Sequence, residues 1–95
     1  MAKSVDARRL GAAQIVAGTT ASAASTAFAS TTYEIRVVAS AACFVRISET
    51  TPTAVTTDSY LPANFPEYFM VTPGQKLAGI TASGAASISV TEITQ

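Results

Sequence analysis

The chain has 95 residues, no histidine and no tryptophan, a formal net charge of zero and only 13% charged residues. This length allows one domain at most, with a small core that favours association with something larger. A neutral chain lacks the basic face that drives counterion release, which argues against nucleic acid as the main partner.

Cys43 is the single cysteine, so the chain can form neither an intrachain disulfide nor a paired-cysteine zinc site. This indicates folding in a reducing compartment. No apolar run reaches the length of a signal-peptide core or of a membrane span. We therefore expect the protein to be made and assembled in a cytoplasm, without a membrane partner.

The N-terminal third predicts an arm followed by one strand. Residues 1–9 read as an exposed arm that carries Lys3, Arg8 and Arg9, which are candidates for partner contact, with a solvated terminus as the default reading. A strand is predicted over residues 10–17. An Ala/Ser/Thr-rich connection then leads to Phe28.

Apolar and polar residues alternate from residue 31 onward, and this period of two predicts strands. In residues 31–39, Tyr33, Ile35 and Val37 share the inward face. Residues 42–48 repeat the pattern, with Cys43, Val45 and Ile47 inward and Phe44, Arg46 and Ser48 outward. Since the connection is short, the two segments are expected to form a hairpin.

The next stretch, "ETTPTAVTTDSYLPANFP", predicts a loop with at most a short edge strand over residues 54–57. "EYFMVT" then resumes the extended pattern. Pro73-Gly74 predicts a turn, because proline presets φ at the second turn position and glycine accepts positive φ at the third.

The segments "QKLAGITA" and "ASISVTEIT" are expected to form the last strand pair, with Ile88 and Val90 on one face. Ile93 breaks their phase, which predicts a bulge near Thr91 and Glu92 or a change of face. Altogether, residues 10–95 predict a single all-β domain. Its expected architecture is a small antiparallel β-sandwich, jelly-roll or immunoglobulin-like, with an extended N-terminal arm.

The residues that carry catalysis are missing or scattered. Without histidine the usual general base is absent, and the acidic side chains stand in separate segments, so no acid–base pair is predicted. Cys43 lies inward in its alternation and reads as a small buried hydrophobe. No glycine-rich phosphate loop is present. The sequence predicts no enzyme, metal site or cofactor.

Aromatic residues are the more informative group. Phe44 points away from the inward face of its strand, and Tyr60, Phe65 and Tyr68 cluster around a proline-flanked loop. Exposed rings are favoured anchors of protein interfaces. An equally weighted alternative is that Phe65 and Phe69 cap the open end of the sandwich. Stacking against sugar is a third use, weakened by the missing tryptophan.

Four motifs between Leu61 and Thr94 resemble a group of small structural proteins of tailed bacteriophages. They are Leu61-Pro62-Ala63, Pro66-Glu67-Tyr68-Phe69, Pro73-Gly74-Gln75-Lys76 and Val90-Thr91-Glu92. The "TYEIRVVASAACFVRIS" segment extends the likeness. The resemblance implies a β-sandwich virion component, located in the virion after assembly in the host cytoplasm.

Within that resemblance we expect a capsid decoration or cement protein. It would bind the major capsid protein as a homo-oligomer, through the arm and the aromatic loop. The alternatives are a neck or tail component and a small carbohydrate-binding module on the virion. The candidate partner-binding residues are Lys3, Arg8, Arg9, Phe44, Tyr60, Phe65 and Tyr68.

Overall fold

The computed structural model describes residues 9–94, with side chains described for residues 10–93. This part of the chain forms eight strands and no helix, so the predicted all-β class is confirmed. The strands are β1 (Arg9–Gly18), β2 (Ala23–Ala24), β3 (Glu34–Ala39), β4 (Cys43–Ser48), β5 (Ser59–Leu61), β6 (Glu67–Met70), β7 (Lys76–Ile80) and β8 (Ala86–Thr94).

The strands form two four-stranded sheets, which we call sheet I (β1-β8-β3-β6) and sheet II (β2-β7-β4-β5). β1 pairs with β8, β2 with β7, β3 with β6 and β4 with β5, all antiparallel, as in a long two-stranded ribbon that has been rolled up. Rolling adds the β3–β8 and β4–β7 ladders. This is the jelly-roll arrangement. The strand order differs from that of the immunoglobulin fold, the other expected topology.

Alternate residues of the central strands fill the space between the sheets. Ile35, Ile88 and Val90 from sheet I and Leu77 from sheet II are 0% exposed. Burial of each large side chain contributes about 1.5–3 kcal/mol relative to leaving it in water. The predicted inward phase of β3 is therefore correct, except that Tyr33 precedes the strand and remains exposed.

The two predicted hairpins are wrong. β3 lies in sheet I and β4 in sheet II, so residues 31–39 and 42–48 do not pair with each other. β7 and β8 are likewise divided between the sheets. A short reversal can carry the chain across the roughly 10 Å between two packed sheets as easily as back along one sheet. Among the strands of residues 9–94, only β4 and β5 are both consecutive in the chain and paired.

The Pro73-Gly74 turn is confirmed. Gly74 has a φ of 87°, and the Gln75 amide donates to the Thr72 carbonyl at 3.2 Å. The Thr72 amide in turn donates to Gln75 Oε1 at 2.8 Å. This turn brings the chain from β6 in sheet I to β7 in sheet II.

Two short strands differ from the sequence prediction. Residues 54–57 form no strand, and the short edge strand is β5, a few residues later. β2 lies within the Ala/Ser/Thr-rich connection, where the sequence predicts no strand. That connection is fixed beside β7, because the Ser25 amide donates to the Leu77 carbonyl at 2.7 Å and the Phe28 amide to the Gln75 carbonyl at 2.9 Å.

The irregularity predicted near Thr91 and Glu92 is present in the β1–β8 ladder, but the extra residue lies on β1 and not on β8. β8 keeps its register with β3 through Ile93, which pairs with Glu34, and the bulge sits in β1 between Leu10 and Ala13. Glu92 lies opposite Ile35 on the inward face and is only 7% exposed. Ile93 lies on the other face, opposite Leu10, but is itself only 4% exposed, so the end of β8 is covered on both faces.

Candidate interaction surfaces

The outer face of sheet II carries a pair of aromatic rings. Phe44 of β4 lies directly opposite Tyr60 of β5, and their ring centroids are 5.6 Å apart at an interplanar angle of 58°. Aromatic rings prefer tilted or offset contacts at this distance to a face-to-face stack, so the contact helps to fix the orientation of both rings. Tyr60 is 61% exposed, whereas Phe44 is half-buried. Ile80 of β7 flanks Phe44 on its other side.

Residues 49–58, which we call the strap, join β4 to β5. Ala54 in the strap donates its amide to Ser22 Oγ at 2.8 Å, and Lys76 Nζ donates to Thr51 Oγ1 at 2.9 Å. Ala78 lies on the outer face opposite Arg46, yet it is 0% exposed. These contacts indicate that the strap covers this part of sheet II and leaves the ring pair uncovered.

Asp58 holds the end of the strap. It accepts hydrogen bonds from the Val55 amide at 2.8 Å and from Arg46 Nη2 at 2.9 Å. The Val55 hydrogen bond, and then the Arg46 guanidinium, lower the pKa of the Asp58 carboxyl below its ordinary value. Asp58 thus ties the end of the strap to β4, two residues before Tyr60.

We expect this anchor to remain when the pH falls to 3.8, the ordinary pKa of an aspartate, and to be released only below it. A carboxyl with a lower pKa in the folded state stabilises the fold above its unfolded pKa, and the stabilisation is lost as the pH falls through the folded pKa. An NMR titration of the Val55 amide signal should have its midpoint below 3.8. Arg46→Gln should raise that midpoint, and a wild-type midpoint at or above the ordinary value would contradict the assignment.

Phe65 belongs to the segment that connects β5 of sheet II to β6 of sheet I. The crossover is held by the Asn64 amide, which donates to the Ala39 carbonyl at 2.7 Å, and Asn64 itself has a φ of 59°. Phe65 is 60% exposed. Phe69 instead packs against the core. Phe65 therefore presents its ring to solvent and does not cap the core, whereas Phe69 packs inward from β6 opposite Ile35.

The outer face of sheet I carries a second group of exposed apolar side chains. Tyr68 lies opposite Arg36, and Met70 lies opposite Glu34. Tyr68 is 46% exposed and Met70 is 83% exposed. At the opposite edge of the same sheet, Leu10 and Ile15 of β1 also project from the outer face. Leu10 pairs with Ile93, and Ile15 pairs with Ser89.

The structure brings some of the predicted contact residues together and separates others. Phe44 and Tyr60 form one surface on sheet II. Tyr68 lies on the opposite broad face, so Tyr60 and Tyr68 do not belong to a single loop surface. Lys3 and Arg8 lie outside the described residues, as does the side chain of Arg9, whose backbone begins β1.

No group of three or more potential metal-ligating side chains comes together within the described part of the chain. Cys43 is fully buried, as its place in the alternation predicted, and burial raises the pKa of its thiol. A buried thiol with a raised pKa is a poor nucleophile. The surfaces that remain as candidate sites are the two apolar outer faces.

Comparisons with protein-family models, curated proteins and solved structures found no match. Within residues 9–94 there is no helix long and apolar enough to cross a membrane.

Sequence reasoning did not single out Leu10, Ile15 or Met70 as surface residues. The alternation in "EYFM" could have placed Met70, because an inward Phe69 requires an outward Met70. Ile15 and Val16 are adjacent and both apolar, so their pattern does not tell which of them is buried. Pairing with β8 decides it: Val16 faces inward and is 3% exposed.

Proposed function

We propose that this chain is a structural protein of a tailed-bacteriophage virion, a capsid decoration or cement protein that binds the major capsid protein and stabilises the shell. The observation that carries the proposal is that both broad faces of the sandwich keep large apolar side chains exposed, Tyr60 on one and Tyr68 and Met70 on the other. A small module with contact surfaces on both faces can touch two neighbours at once. A protein that lies across subunit junctions has to do this.

The fold and the sequence motifs support the same proposal. The jelly roll recurs in viral capsid domains, and this support is an analogy of fold rather than of site. The likeness of the Leu61–Thr94 motifs to phage structural proteins adds to it. Each contact to the shell can be weak, because the same contact repeated at many identical sites gives a strong sum.

The Phe44–Tyr60 pair is the contact that we assign to the capsid protein. A rigid aromatic ring that is exposed in the free protein and supported by a second ring is the kind of anchor that dominates interface energies. Tyr60 is held in this way by Phe44, with ring centroids 5.6 Å apart.

Tyr60→Ala should therefore weaken binding to shells that lack this protein by at least about tenfold, since a central aromatic anchor contributes about 2 kcal/mol or more. Tyr33→Ala is the matched control, because Tyr33 is 59% exposed, close to the 61% of Tyr60, and lies outside the ring pair. Titration of purified variants onto shells measures both affinities. If the two variants bound the shell equally well, the ring pair would not be the contact with the capsid protein.

The copy number per particle tests the virion role itself. Quantitative mass spectrometry of purified virions should find this chain at the stoichiometry of the shell protein or at a simple fraction of it. Only a handful of copies would assign the chain to the neck or tail. Its absence from the particle would contradict a virion function.

Carbohydrate binding is the second candidate, and the ring pair is the observation that favours it. An exposed tyrosine on a jelly roll can stack against a sugar, and the same fold occurs in lectin domains. A glycan array measures this binding. If the wild type and Tyr33→Ala bind a glycan and Tyr60→Ala does not, the ligand of this face is a glycan and not the capsid protein.

A further inference from the structure

The four sheet edges of the sandwich differ sharply in how they are protected. β2, β5 and β6 have two, three and four residues, and prolines adjoin two of them, Pro62 directly after β5 and Pro66 directly before β6. Short strands and prolines are devices that keep an edge from pairing with another chain. β1 is ten residues long and contains neither proline nor a charged residue from Leu10 to Gly18.

Within residues 9–94 the outer edge of β1 forms no ladder with another strand, although the Gln14 side chain accepts hydrogen bonds from the Thr26 amide at 3.0 Å and the Thr26 hydroxyl at 3.1 Å. β1 pairs with β8 on one side, and on the other side no backbone hydrogen bond joins residues 10–18 to any other residue of the described part of the chain. In an antiparallel strand, backbone groups point alternately to the two sides. β1 therefore presents a row of donors and acceptors at the edge, beside the exposed side chains of Leu10 and Ile15.

We propose that β1 is a dimerisation edge, at which the β1 strands of two copies of this chain pair antiparallel about a twofold axis. The pairing joins the two copies of sheet I into one continuous eight-stranded sheet. It rests on the edge geometry alone and is independent of the capsid proposal.

A second copy fits this edge because β1 is complementary to itself. The bulge between Leu10 and Ala13 confines regular pairing to Ala13–Gly18, and Ile15 lies near its centre. A twofold axis through Ile15 places each Ile15 opposite its own copy, and each Ala13 opposite the Ala17 of the second copy. Large apolar side chains then meet at the axis and small ones flank them. No charges meet across the pair, whereas like charges directly opposite each other are destabilising.

Sedimentation equilibrium of the full chain, of Ile15→Lys and of Met70→Lys tests the proposal. Ile15 is 64% exposed and Met70 is 83% exposed on the same face of sheet I, so a lysine is tolerated by the fold at both positions. At the axis, two lysines would lie opposite each other at about 5 Å between their Cβ atoms. We expect a dimer of the 9.7 kDa chain for the wild type and for Met70→Lys. For Ile15→Lys the dissociation constant should rise at least tenfold.

Hydrogen exchange gives a second measurement that separates loss of the dimer from loss of the fold. In the wild-type dimer the outward-facing amides between Ala12 and Ala17 should exchange slowly. In Ile15→Lys they should exchange fast, while the amides of β1 that bond to β8 stay protected.

Three outcomes would overturn the proposal. The wild type could remain a monomer at about 100 μM, where contacts of micromolar affinity are populated. It could form a trimer or another odd oligomer, which a twofold edge pairing does not produce. Ile15→Lys and Met70→Lys could also dissociate equally. Tyr60→Ala should leave the dimer intact, so a failure of the capsid contact would not be mistaken for a failure of this edge.

Discussion

Gly79→Ala is expected to lower the free energy of unfolding by about 1–3 kcal/mol, the usual cost of overpacking a core. A Cβ atom at residue 79 would lie 2.3 Å from Ile88 Cδ1, on the facing sheet. Ile88 is 0% exposed, so we expect its terminal methyl group to move aside only at the expense of its packing in the core. For a domain of this size, each kcal/mol corresponds to a fall in Tm of roughly 4–8 °C.

Ile88→Val provides the internal test, because it removes the Cδ1 atom that the new methyl group would meet. In the wild-type background this substitution should cost about 0.5–1.5 kcal/mol. In the Gly79→Ala background it should cost less or even stabilise the fold. Thermal and urea unfolding of the four proteins of this cycle measure the coupling.

Gly84→Ala is the control for the loss of glycine as such. Gly84 has a φ of 73°, and a Cβ atom added there would meet no neighbouring atom within 4 Å, so its substitution is costly through backbone strain and not through contact. Ile88→Val should not rescue it. Costs of Gly79→Ala and Ile88→Val that simply add, within about 0.5 kcal/mol, would show that the two sheets do not meet at this contact.

The contact between Gly79 and Ile88 also shows which part of the fold the sequence could predict. Alternation correctly placed Ile88 and Val90 on one face, and it placed Ile35 and Val37 on the inward face of β3, because a period of two is a local property of a strand. Glycine at residue 79 carries no such signal. Its importance arises only when β7 and β8 lie in different sheets and face each other.

Strand partners were less predictable for the same reason. The connection between β3 and β4 is equally compatible with a hairpin, which the sequence analysis predicts, and with the crossing between sheets that the structure shows. The pairs that define the jelly roll are distant in sequence: β1 and β8 bring Arg9 opposite Thr94. No local pattern specifies a partner so far along the chain.

The candidate site was predicted in part. Phe44 was placed outward by alternation, and the structure confirms that position. The sequence pattern groups Phe65 with Tyr60 and Tyr68 in one loop cluster, whereas the loop is a crossover that sends the two tyrosines to opposite faces. Proline and aromatic content indicated an exposed turn but not the sheet on which the chain would continue.

Glu92→Ala is expected to lower the free energy of unfolding by about 1–3 kcal/mol, because it leaves the buried Thr32 hydroxyl without its acceptor. Glu92 faces inward near the end of β8, where its Oε1 atom accepts a hydrogen bond from the Thr32 hydroxyl. The Ala29 amide donates to the same oxygen at 3.4 Å. The Thr32 amide donates to the Ala29 carbonyl at 3.0 Å and closes the turn. One carboxyl group thus ties the last strand to the turn that precedes β3.

Glu92→Gln is the matched variant, since its amide oxygen can accept the same hydrogen bonds in the same volume, and it should cost less than about 1 kcal/mol. Thr32→Val should be destabilising on its own, because Thr32 is only 1% exposed and its removal leaves the Glu92 carboxyl without its hydroxyl donor. Combined with Glu92→Ala it should cost less than the two single losses added together, and urea unfolding measures each value. If Glu92→Ala were no more costly than Glu92→Gln, packing of the turn through Phe28, rather than its hydrogen bonds to β8, would hold this end of the sandwich closed.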